Sequence, residues 1–144
     1  MTDSDQQGIE DKTVPVSGLV PMLLVVDVER SVSFYNLLGF AVGNRVPRDG
    51  PMHWAWLYAP NVPDWRRGPN LMLTRSESPI DPSGASVVLY LYATNLVTLR
   101  EELVRAGQSP GPIRYPDYLP KGELELIDPD RHCLMIAQSA SDTP

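Results

Sequence analysis

The stretch LVPMLLVVDVERSVSFYNLLGF, residues 19–40, holds an apolar run, a single Asp, a helical pattern and a closing Leu-Leu-Gly-Phe. Residues 19–26 read as a strand. Asp27 then suits a helix N-cap, because its carboxylate accepts hydrogen bonds from first-turn amides that have no partner of their own. Val28, Val32, Tyr35 and Leu38 recur at helical spacing and give the helix one apolar face. Gly39 fits the left-handed residue that closes a helix.

The chain says this twice. Residues 27–40 align without a gap on residues 95–108, with Asn95 at the cap, Leu96, Leu99, Leu103 and Ala106 on the apolar face, and Gly107 at the close. Residues 86–92 form the strand before the second cap. Three strand-like segments follow each helix: 40–47, 53–59 and 69–75 in the first half, then 109–115, 122–127 and 132–138 in the second. Turn residues separate them, and most of the 15 prolines fall in these connections. The order βαβββ therefore occurs twice. An internal repeat of this size defines two structural units stacked on one another.

With Val26-Asp27-Val28-Glu29-Arg30-Ser31-Val32-Ser33-Phe34-Tyr35, Leu38-Gly39-Phe40 and the later Asp128-Pro129-Asp130, residues 19–138 resemble the vicinal oxygen chelate superfamily. That superfamily includes glyoxalase I, extradiol dioxygenases, fosfomycin-modifying enzymes and bleomycin-resistance proteins. The resemblance implies an α+β fold in which two tandem βαβββ modules form a curled mixed sheet around a cavity, commonly in a homodimer. On this reading 1–17 is a flexible N-terminal arm and 18–138 a single domain. Module one spans 18–76, the linker 77–84 and module two 85–138, leaving 139–144 as a flexible tail. One departure concerns Arg131, where relatives usually carry Gly; if the turn needs positive φ, arginine is strained there.

Metal-using members of the superfamily draw their ligands from inward-facing strand positions, which correspond here to Val20, Met72, Val88 and Met135. None offers the imidazole or carboxylate that harder divalent ions require. The chain has two histidines. His132 falls on the opposite face from Met135, and His53 begins a strand with no carboxylate at a matching position. The expectation is no metal and no cofactor.

Period-two alternation sorts the strand residues between two faces. Val20, Met22, Leu24, Asn70, Met72, Thr74, Val88, Tyr90, Tyr92, Cys133, Met135 and Ala137 share one. The other is uniformly aliphatic, as befits a surface beneath two helices. On the third strand Trp54, Trp56 and Tyr58 alternate onto a single face, as sheet packing, a dimer contact or a stacking wall for a planar or cationic ligand. Trp65 is either a lid over the cavity or an anchor for its loop. Glu123 and Glu125 alternate with Leu124 and Leu126, as a solvated face or as rim carboxylates that pair with a cation or act as general base. Tyr115 and Tyr118 flank that rim. The candidate ligand-binding set is thus Trp54, Trp56, Tyr58, Tyr90, Tyr92, Met72, Met135, Trp65 and Tyr115, with Glu123 and Glu125 as weak catalytic candidates.

The composition narrows the function classes further. A net charge of −6 opposes nucleic-acid binding, where a basic footprint dominates affinity. No apolar run approaches the ~18 residues of a membrane span, and the opening residues lack a secretory pattern. A lone Cys133 excludes an intramolecular disulfide and suits a cytoplasmic setting. Three readings remain. One is a metal-independent protein of the bleomycin-resistance type that sequesters a hydrophobic or aromatic molecule, cationic ones included. Another is an enzyme of the superfamily, a lyase, isomerase or dioxygenase, using unrecognised metal ligands or, without metal, Glu123 and Glu125. The last is a structural module whose cavity is filled core.

Overall fold

Caps and turns of the expected kind build both helices. In the computed structural model, Asp27 accepts from the Arg30 amide at 3.1 Å at the head of α1 (Val28–Asn36). Asn95 accepts from the Thr98 amide at 3.0 Å at the head of α2 (Leu96–Arg105). Gly39 and Gly107 close the helices at φ 95° and 86°. The residue after each glycine donates back into its helix, Phe40 to the Tyr35 carbonyl at 3.2 Å and Gln108 to Leu103 at 2.9 Å. One sequence pattern has produced one capped unit twice. The structure describes residues 15–62, 64, 67–81 and 87–139. Most of the expected arm, Trp65, residues 82–84 of the linker, residues 85–86 of module two and residues 140–144 lie outside the described residues.

Among the described residues seven strands accompany these helices: β1 (Met22–Val25), β2 (Ala41–Val46), β3 (Trp54–Tyr58), β4 (Asn70–Arg75), β5 (Val88–Ala93), β6 (Glu123–Ile127) and β7 (Cys133–Gln138). They form two mixed sheets with a common winding, β1-β4-β3-β2 and β5-β7-β6. In each, the strand before the helix pairs in parallel with the last strand of its half, and the remaining pairs are antiparallel. The sheets stay open and do not close into a barrel.

The segment 109–115, expected as a strand, is not one. It touches β6 through a single bridge between Arg114 and Glu123 and a bond from the Gly111 amide to the Glu125 carbonyl at 2.8 Å. Pro110 and Pro112 have no amide to donate, so a regular ladder cannot form. From Gly111 to Arg114 the segment advances three residues while β6 retreats two, which breaks the period. The second sheet therefore keeps three strands.

The alternation assigned from sequence sets the core. Leu23, Val25, Ala55, Leu57, Leu71 and Leu73 of the first sheet are buried with Val28, Val32, Phe34 and Tyr35 of α1. Leu124, Leu126, Leu134 and Ile136 of the second sheet are buried with Leu96 and Leu103 of α2. Ala106, expected on the apolar face of α2, is exposed at the helix end.

A polar clamp joins the halves. Asp128 accepts from the Tyr35 hydroxyl at 2.7 Å and from the amides of Asp130 and His132 at 2.9 and 2.8 Å. Asp130 accepts from the Val26 amide, the Ser31 hydroxyl and the Arg30 guanidinium, at 3.1, 3.4 and 3.3 Å. Both aspartates are buried, and their lone pairs are met by donors from the first half and, for Asp128, by two amides of its own turn, as buried carboxylates require. Arg131 follows at φ 72°, in the left-handed region anticipated for a turn where relatives have glycine.

Candidate functional site

The faces turned away from the helices carry the candidate residues, in two groups. On the first sheet Trp54, Trp56 and Tyr58 lie opposite Thr74, Met72 and Asn70, and Met22 continues the row beyond Met72. All three aromatics are half-buried. Trp56 and Tyr58 stack with ring centroids 5.6 Å apart and planes 20° apart. The Trp56 indole donates to Asn70 Oδ1 at 2.8 Å, and the Asn70 amide donates to the Gly68 carbonyl at 3.1 Å. The indole is thereby held by its polar edge and by its stack on Tyr58.

Gly43 makes room for this pair. A Cβ there would stand 2.6 Å from the Trp56 ring and 3.0 Å from that of Tyr58. Gly43 sits where the β2–β3 register shifts, between Val42 and Asn44. Sequence reasoning missed this residue, although a glycine inside a strand opposite large aromatics is a signal of close approach.

On the second sheet Tyr90, Met135 and Glu125 form one row across the strands, and Tyr92, Ala137 and Glu123 form the next. Tyr90 and Tyr92 have centroids 6.2 Å apart. Glu123 is buried, and its two oxygens accept from two phenols, Oε1 from Tyr90 and Oε2 from Tyr118, the latter at 2.8 Å. Hydrogen bonding to this carboxylate, with some loss of solvation, raises both phenols above the usual tyrosine value, Tyr90 by a wide margin. Glu125 is exposed and accepts from the Cys133 thiol at 3.4 Å. Burial first, then Glu125, pushes that thiol up and away from the reactive thiolate form. Tyr115 is exposed beside Gly122.

The structure thus places Trp54, Trp56, Tyr58 and Met72 together, and Tyr90, Tyr92, Met135, Glu123 and Glu125 together. Two cavities reach the seam between the sheets. One of about 590 Å³ runs between β1 and the start of β5, with His132 and Asp130 in its wall. The other, about 130 Å³, meets Asn70 and Tyr90. Neither brings Trp54, Trp56 or Tyr58 against Tyr92 or Met135. A third, about 290 Å³, is lined by Arg114, Glu123, Glu125 and Met135.

Met72, Val88 and Met135 do occupy the faces turned from the helices, and Val20 precedes β1. Among the described residues no group of three or more His, Cys, Asp or Glu side chains stands close enough to hold a metal ion. His53 accepts from Arg75 through Nδ1 at 2.7 Å, and His132 donates to the Leu24 carbonyl at 2.9 Å. Both imidazoles serve local structure. No helix among the described residues is long and apolar enough to cross a membrane.

No protein-family model matches the chain, and no curated protein matches it by sequence. Solved structures do resemble it. A glyoxylase/bleomycin resistance protein/dioxygenase domain from a Frankia species superposes with a TM-score of 0.67 at 20% identity, over 89% of this chain and 96% of that one. The bleomycin-binding protein of Streptomyces verticillus, complexed with copper(II)-bleomycin, gives 0.58 at 25% identity, over 88% and 99%. The fosfomycin resistance protein FosX of Listeria monocytogenes gives 0.63 at 13% identity, over 88% and 97%. The fold is the one shared by the vicinal oxygen chelate superfamily.

Proposed function

We propose that this chain is a metal-independent small-molecule-binding protein of the bleomycin-resistance type. Its ligand is hydrophobic or aromatic, cationic molecules included, and binding sequesters it. The carrying observation is the pair of aromatic faces left open by the fold, Trp54, Trp56 and Tyr58 on one sheet and Tyr90 and Tyr92 on the other. Flat π-surfaces bind planar and cationic groups, and the acidic balance of the chain favours cations. The positions that hold metal in related enzymes are Val20, Met72, Val88 and Met135, an apolar set. Solved neighbours that bind bleomycin support the same reading.

The active form is a homodimer in which the two faces come together between copies. Met22, Leu24, Val88 and Tyr92 are each more than half exposed in the single chain, apolar side chains that a subunit contact would cover. Titration of tryptophan fluorescence with metal-free bleomycin tests the reading, with sedimentation at the same concentrations. Saturable quenching by a dimer is expected. A flat titration across a panel of aromatic cations would sink it, and stoichiometric metal in the purified protein would transfer the case to an enzyme.

A further inference from the structure

Glu123 stands apart from the other candidates. It is on the open face of the second sheet, yet only 5% exposed. Tyr90 reaches it from β5, across the whole width of β7, in front of Ala137, which is fully buried although it too faces away from the helices. Tyr118 reaches it from the opposite side, out of the 116–122 loop. A buried carboxylate is stable only where donors replace its lost water. Here both donors are phenols, one to each oxygen.

The loop is shaped to allow this. It makes two tight turns, Leu119 N to Pro116 O and Gly122 N to Leu119 O, both at 3.0 Å. It ends at Gly122, whose φ of 109° suits glycine and whose missing Cβ would otherwise come within 2.8 Å of Ile113 and 3.1 Å of the Tyr115 ring. The loop therefore lies down onto the sheet, and the Tyr118 hydroxyl ties it there.

We infer that Glu123 is a positioning residue, a carboxylate that pins Tyr90 and Tyr118 and fixes the 116–122 loop as a rigid wall beside the ligand face, and not a general base. A base must present an oxygen to its substrate, and both of these already accept from phenols while the carboxylate itself is only 5% exposed. Arg114, Tyr115, Asp117, Lys121, Glu125 and Cys133 are other ionisable groups around this corner, and of Glu123 and Glu125 the latter is the one that meets solvent. The inference takes the ligand face from the function proposed above, but the clamp itself is testable without ligand.

The experiment compares wild type with Tyr118→Phe, Tyr90→Phe and Glu123→Gln, reading amide hydrogen exchange and the ultraviolet titration of tyrosine. With the clamp in place, Tyr118→Phe speeds exchange at the bonded Leu119 and Gly122 amides by about tenfold or more and leaves β7 unchanged. Glu123→Gln brings the late-ionising phenols back toward ordinary tyrosine behaviour, and the two Phe variants each remove one late step. If Glu123→Gln fails to fold, the Phe variants alone decide. Unchanged loop exchange together with an unchanged titration overturns the inference. A parallel bleomycin titration of wild type keeps the readings separate, since its failure removes the ligand and leaves the clamp standing.

Discussion

The Tyr35 hydroxyl donates to Asp128 Oδ2 at 2.7 Å, a bond from the first helix to the turn before the last strand. Burial, and then the charge of Asp128, pushes the Tyr35 phenol far above its ordinary range. Tyr35→Phe leaves a buried carboxylate oxygen short of a donor and should cost about 1–3 kcal/mol, read from urea unfolding at neutral pH. The stabilisation carries a pH signature. The folded phenol keeps its proton where the unfolded one loses it, so the contribution is whole below about pH 10 and drains away as pH rises beyond it. Tyr35→Phe should flatten the alkaline limb of the stability curve; an unaltered limb would assign it to other groups.

Gly43→Ala should crowd the Trp56 ring, because the added methyl arrives 2.6 Å from it. Overpacking of this kind costs about 1–3 kcal/mol and forces a ring off its rotamer. A shift in tryptophan emission should accompany the loss of stability. Unchanged emission would mean that β2 moves instead of the indole.

Trp56→Ala should weaken ligand quenching by more than it lowers stability, since the indole is half-buried and held at one edge by Asn70. Loss of dimerisation with intact binding would make the aromatic face a subunit contact and nothing more.

Arg131→Gly should stabilise the protein by about 1 kcal/mol, the order of the penalty an L-residue meets at positive φ. Thermal unfolding gives the sign directly. A decrease would show that the Arg131 side chain contributes more than the backbone loses.

Much of this was readable beforehand. Both helix caps, both closing glycines and the two-faced strands followed from local chemistry, since Asp27, Asn95, Gly39 and Gly107 act on neighbours within a turn. The 109–115 segment reads as a strand from its place in the repeat, but Pro110 and Pro112 deny it the donors. The site was less legible. Alternation placed Glu123 and Glu125 on one face correctly. It could not show that Tyr90 and Tyr118 converge on Glu123 and not on Glu125, for that depends on a loop turning back onto β6 and a side chain crossing β7. Gly43 was overlooked for a similar reason, its meaning residing in a ring on the neighbouring strand.

The Asp128–Asp130 clamp also bears on the order of assembly. Its donors, the Val26 amide, Arg30, Ser31 and Tyr35, are made roughly a hundred residues before their acceptors. A nascent chain that has emerged only as far as α2 has the first helix and its strands in hand but nothing to dock against those four groups. Those four groups therefore lack these acceptors until the turn before β7 leaves the ribosome. Substitutions at Asp128 or Asp130 should accordingly reduce the yield of soluble protein during synthesis by more than they lower the stability of the finished molecule.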